Sequence, residues 1–139
     1  MARLLLPLLV LPLVAGEGKP AAPPIKGTWE ITATTFNGTA FTQPKGRILR
    51  FGDGFLTTFV NTAPSYVFSY KLDATADPKR IDLEDEDRHT ADRKALGIYA
   101  IDKDELRLCY AEPGATRPTK FESKPGDRVF LLVLKRVKE

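Results

Sequence analysis

The chain has 139 residues, enough for one small domain, with 21 basic and 18 acidic side chains and a formal net charge of +3. The two signs are interspersed along the sequence, which excludes the concentrated basic face of a nucleic-acid binder. Cys109 is the only cysteine, so an internal disulfide is excluded and a packed core has to supply the stability.

In chain order, the first segment reads as a leader. Arg3 is the only charge before Glu17, Leu4 to Val14 is an apolar run broken only by Pro7 and Pro12, and Val14-Ala15-Gly16 is a small-residue exit. This is the pattern of a secretory signal peptide over residues 1–16. The run is about half the ~20 residues a spanning helix needs, so no integral membrane span is expected after cleavage. The expected location is the periplasm or cell envelope, or the medium. Residues 17–24, "EGKPAAPP", form a Pro/Ala-rich spacer that suits neither a helix nor a central strand. The folded domain is expected over residues 25–139.

Short β-like runs then alternate with turn signals. Trp29, Ile31 and Ala33 alternate with Glu30, Thr32 and Thr34, the period of a half-buried strand. Asn37-Gly38 is a strong hairpin signal, because both residues tolerate positive φ. "GRILRF" (46–51) and "FLTTFVN" (55–61) flank Gly52-Asp53-Gly54. Ala63-Pro64 is expected to break the chain before "SYVFSYKLD", in which Tyr66, Phe68, Tyr70 and Leu72 share a face. "KRIDLED" (79–85) follows, with Ile81 and Leu83 inward. Residues 84–94 form the longest stretch without a β pattern. "ALGIYAID" and "ELRLCYA" are joined by Lys103-Asp104, and "RVFLLVLKRV" closes the chain after a loop rich in Pro and Gly. That last run is apolar on both faces, so it is expected to be covered on both sides, by the N-terminal segment or by a partner.

Eight or nine short strands and no sustained helical period predict an all-β fold. A single antiparallel up-and-down β-barrel fits best, because short turns make consecutive strands neighbours and closure removes exposed edges.

Candidate chemistry is sparse. Cys109 lies in a strand-like run and reads as a small buried apolar side chain. The one histidine, His89, lies elsewhere in the sequence and cannot build a zinc site alone. The acidic residues Asp82, Glu84, Asp85, Glu86, Asp87 and Asp92 lack the glycine bend and spacing of a calcium loop, and read as a solvated face. No Gly-x-Ser-x-Gly and no phosphate-cradling loop occurs. The expectation is therefore no catalytic residue, no metal ligand and no cofactor, in a protein that is not an enzyme.

The aromatic residues are the stronger signal. Trp29, Tyr66, Phe68 and Tyr70, with Tyr99 or Tyr110, suit the interior of a small barrel. An eight-stranded barrel is either filled by side chains or holds one small ligand, and inward aromatics serve both cases. Trp29, Tyr66, Phe68, Tyr70 and Tyr99 are the candidate cavity residues.

Gly27-Thr28-Trp29 on a first strand resembles the opening of the lipocalins and calycins. That resemblance implies that Trp29 closes one barrel end under an arginine of the last strand. Arg136 is suitably placed for this, with Lys135 as the alternative. With "YKLDATADPKRIDL", "LGIYAIDKDELRLCYAEPGATRPTKFESKPG" and "LLVLKR", the chain is similar to an uncharacterised lipocalin-like domain of exported bacterial proteins. The likeness runs from about Ile25 to Arg136. It implies a calycin-like barrel and export, and brings no established ligand. Arg117, in "EPGATRP", suits a loop clamp as well as a ligand contact. Two functional readings follow. In one, the barrel binds a small apolar or amphipathic molecule. In the other, a filled barrel serves as a non-enzymatic interaction or structural module of the cell envelope, with an unknown protein partner.

Overall fold

The structure, a computed structural model, describes residues 24–42, 45–87 and 93–138. The expected leader, most of the spacer, His89 and Asp92 lie outside the described residues. Among the described residues nine strands follow one another: β1 (Gly27–Phe36), β2 (Thr39–Phe41), β3 (Arg47–Phe51), β4 (Phe55–Val60), β5 (Ala63–Asp73), β6 (Lys79–Asp85), β7 (Lys94–Asp102), β8 (Glu105–Ala111) and β9 (Val129–Arg136).

Strands β3 to β9 pair antiparallel in sequence order. β1 pairs with β3 on one side and with β9 on the other. The result is a closed eight-stranded antiparallel barrel with β2 as an additional short strand. β1 divides its partners: Gly27 to Glu30 pair with β3, and Thr34 to Phe36 pair with β2. The turn between β1 and β2 is Asn37-Gly38 with φ of 54° and 82°, the backbone for which Asn-Gly is selected in two-residue hairpins.

Among the described residues two bulges reset the side-chain alternation. Thr32 is an extra residue in β1, since Ile31 faces Leu134 and Ala33 faces Val133. Its Oγ1 donates to Val133 O at 3.0 Å. One extra residue exchanges the faces of everything beyond it. Ala33, expected inward, is therefore exposed, and Thr34 turns toward the interior. Ser65 plays the same role in β5, where Phe59 faces Pro64 and Thr58 faces Tyr66. Pro64, expected to end the preceding segment, lies within β5 beside this bulge, where a missing N–H is tolerated.

The barrel interior holds the main core, including Ile25, Trp29, Phe51, Leu56, Ile81, Leu106, Leu108 and Leu134. A second, smaller core lies outside the barrel. Ile98, Cys109, Ala111 and Val129 point outward and pack against Ala115, Phe121 and Leu131. The long loop of residues 112–128 thus covers the outer apolar face of the last strands. The cover expected from the N-terminal segment or a partner is supplied by this loop.

Arg117 pins the loop across the sheet. Its guanidinium donates to Ile81 O at 3.2 Å, to Gly97 O at 2.9 Å and to an Asp82 carboxylate oxygen at 2.8 Å. Glu84 is similarly paired with Arg93, at 2.6 Å. Asp82 and Glu84 do occupy the outer face of β6, but they are half-buried partners of arginines rather than a solvated row.

Candidate functional site

The two ends of the barrel are built differently. At the end where β1 begins, Trp29 and Ile25 are fully buried, and the indole Nε1 donates to Ile25 O at 2.8 Å. That bond satisfies the one polar atom of a ring otherwise sealed in apolar surroundings. Trp29 faces Arg136 across the β1–β9 pair, and the Arg136 guanidinium lies 4.1 Å from the ring centroid. The same guanidinium donates to Lys26 O at 3.1 Å and to Pro24 O. One cation therefore covers the ring and holds the entering chain across the barrel end. Gly27 has φ of 125°, and a Cβ there would stand 3.0 Å from the Arg136 guanidinium. The Gly-Thr-Trp run thus needs its glycine both for the backbone and for the room.

Tyr70 and Tyr99 belong to this closed half. Tyr70 packs edge-on against Phe51 and donates its hydroxyl to Gly52 O at 2.5 Å. Burial raises its pKa above the ordinary phenol value. Tyr99 is buried in the interior core, and burial, with the nearby Asp73 carboxylate, raises its pKa too. On the exterior, Lys26 and Asp53 form an exposed ion pair. Their hydrogen bond raises the lysine pKa and lowers that of the aspartate.

The opposite end holds a cavity of about 420 Å³. Its deep wall is apolar, with Ile31, Leu56, Phe68, Leu83, Leu108 and Leu132, and its rim carries Arg47, Tyr66, Asp85 and Arg93. Of the residues expected to line a cavity, Tyr66 and Phe68 do so; Trp29, Tyr70 and Tyr99 lie away from its lining. Tyr66 is 56% exposed and belongs to the rim.

Beside the cavity runs a row of aromatic rings, of which Phe130 and Tyr110 line it. Phe36 stacks on Phe130 with centroids 4.2 Å apart, and Phe130 stacks on Tyr110 at 5.1 Å. The three residues are directly paired across β1, β9 and β8. The Tyr110 hydroxyl makes no hydrogen bond among the described residues, and burial pushes the phenol up to about 12. Tyr110 is half-buried and lines the cavity. The alternation of Leu106, Leu108 and Tyr110 against Arg107 and Cys109 is a sequence signal that would place Tyr110 inward, where the composition alone left it as an alternative to Tyr99. Phe36 lay beyond the reach of that signal, because the Thr32 bulge reverses its face.

Next to Tyr110, on the outer face, the Cys109 thiol is fully buried, with its sulfur 3.5 Å from Lys120 O and 3.6 Å from Glu122 O. Burial raises its pKa from 9.0 to about 11, which keeps it protonated at neutral pH. A second, more open hollow of about 550 Å³ lies under the 112–128 loop. It is lined by Arg117, Lys120, Glu122, Lys124 and Asp127, and the Arg117 guanidinium is committed to the β6–β7 clamp. Among the described residues, no three His, Cys, Asp or Glu side chains converge as metal ligands would.

In comparisons with known proteins, no family model, curated protein or solved structure matches the chain.

Proposed function

We propose that this chain is an exported, lipocalin-like barrel that holds a small apolar or amphipathic molecule in its open end and performs no catalysis. One observation carries the reading: an apolar-walled cavity of about 420 Å³ with a polar rim, opposite a sealed end. Its volume falls within the several hundred Å³ common to small-molecule sites, and its lining combines apolar walls with a few polar groups in the same way. The sealed end gives the cavity a floor, so a ligand would enter and leave by the mouth alone. Export rests on the sequence of residues 1–16, and the kinship on the Gly27-Thr28-Trp29 motif together with Arg136.

The test is a titration of the purified domain with 1-anilinonaphthalene-8-sulfonate, paired with native mass spectrometry of the freshly isolated protein. The expected result is saturable one-to-one fluorescence enhancement, lost when Phe68→Trp fills the cavity in a variant that still unfolds cooperatively. Absence of saturable binding by the wild type, and of any co-purified mass, would turn the proposal toward a filled interaction module of the envelope.

A further inference from the structure

The row of rings stops abruptly. Phe36, Phe130 and Tyr110 are directly paired across three adjacent strands, and the next partner in the same row is Gly97 of β7. The inward position two residues earlier on β7 is Ala95. One face of Tyr110 is therefore stacked on Phe130, while on its other side β7 offers nothing larger than a methyl group opposite Tyr110 or toward the mouth, Tyr99 lying toward the sealed end. At Gly97 itself the strands are in tight contact. A Cβ there would meet Cys109 O and Tyr110 Cβ, both at 2.7 Å. The free space lies instead in the cavity, which Tyr110, Ala95, Leu83 and Leu108 all line.

Tyr110 also presents a phenol with no hydrogen-bond partner among the described residues, in the apolar part of the site. A sheltered polar group without a partner is costly. A ligand that supplies one gains a hydrogen bond at a point where an apolar ligand leaves that cost standing.

Building on the cavity reading above, we propose that the ligand is a flat ring system bearing a hydroxyl or carbonyl group. Its ring extends the Phe36–Phe130–Tyr110 stack over Ala95, and its polar group bonds the Tyr110 hydroxyl. Tyr110 is then the residue that determines specificity. Offset stacking supplies the preference for planar over aliphatic ligands. The phenol supplies the preference for a polar substituent.

The experiment uses three probes: 2-naphthol, its near-isostere 2-methylnaphthalene, and 1-decanol as a flexible alcohol. Each is titrated by heteronuclear NMR into the wild type, Tyr110→Phe and Ala95→Leu. The wild type should bind 2-naphthol roughly threefold to tenfold more tightly than 2-methylnaphthalene, the range expected for one neutral hydrogen bond. It should bind both ring probes more tightly than 1-decanol. Tyr110→Phe, which keeps the stack and removes the hydroxyl, should bring the two ring probes to equal affinity and leave 2-methylnaphthalene unchanged. Ala95→Leu should weaken both ring probes by more than tenfold. An unchanged ratio of ring probes in Tyr110→Phe, or equal binding of 1-decanol, overturns this inference while leaving the cavity reading standing. Failure of all three probes to bind the wild type overturns both.

Discussion

The sealed and open ends of this barrel are made by the same strands and reach stability by different routes. At the sealed end the interior is filled: Trp29, Ile25, Phe51, Leu106 and Leu134 leave essentially no accessible surface, and Arg136 closes the lid. At the open end the interior is partly empty, and the sheet is braced from outside. Cys109, Ala111 and Val129, on the strands that flank the cavity, pack outward beneath Ala115 and Phe121 of the 112–128 loop. A barrel that keeps space in one half loses packing there, and an external pad on the same strands recovers part of it. That division leaves one end filled while the other keeps a cavity of about 420 Å³.

The largest expected effect falls at the sealed end. Trp29→Ala removes a fully buried ring together with the surface on which Arg136 lies. It should destabilise the protein by ~3–5 kcal/mol, read from urea unfolding. A loss under about 1 kcal/mol would mean that this end is no more tightly filled than the other, and the contrast would collapse.

The outer brace can be tested through pH. The Cys109 thiol is raised from 9.0 to about 11 by burial, so the folded state favours the neutral form. The stability it contributes is fully present below about pH 9 and is lost as pH rises through the folded value of about 11. The total is on the order of 2–3 kcal/mol. Cys109→Ala should flatten the alkaline limb of a plot of stability against pH between 8 and 11. If the variant follows the wild-type curve, the thiol is not sheltered and the pad is open.

Arg136→Ala should come next, at about 1–2 kcal/mol, from the lost cation–π contact and the two carbonyls left without their donor. Amide hydrogen exchange should show the loss concentrated at Ile25 to Trp29. Arg136→Lys keeps the charge but cannot span both carbonyls in a fixed plane, so it should recover only part of it. Uniform loosening of both ends would argue against a local lid.

Much of this architecture was legible in the sequence, for identifiable reasons. Strands such as Glu105–Ala111 alternate large apolar and polar residues, so their limits and inward faces are visible. Thr32 and Ser65 were not visible as bulges. The alternation of Ile31 and Ala33 with Thr32 and Thr34 runs straight through the extra residue and so assigns Ala33 to the wrong face, and Pro64 to Tyr66 offers little contrast between the two faces. The ion pair of Asp82 was hidden because its arginine, Arg117, comes from a distant loop, and that of Glu84 because it depends on the β6–β7 hairpin that brings Arg93 back beside it. The cavity was hidden for a different reason. An inward Phe68 has the same pattern whether it meets a neighbour or empty space. The clue lay in size along β7: Ala95 and Gly97 face inward at the open half, and Tyr99 and Ile101 at the sealed half.

That gradient along one strand sets the smallest and most discriminating effect. Gly97 has no room even for a methyl group, because Cys109 O and Tyr110 Cβ crowd it. Ala95, two residues nearer the mouth, borders the cavity. A larger apolar side chain at Ala95 can grow into existing space instead of displacing packed atoms, and the surface it buries offsets its lost rotamer freedom. Ala95→Leu should therefore change stability by less than about 1 kcal/mol, in contrast to the 1–3 kcal/mol usual when a filled core is overpacked. The urea midpoint decides between them. A large loss would mean that the strands close around Ala95 as they do around Gly97, and that the open half is packed like the sealed one.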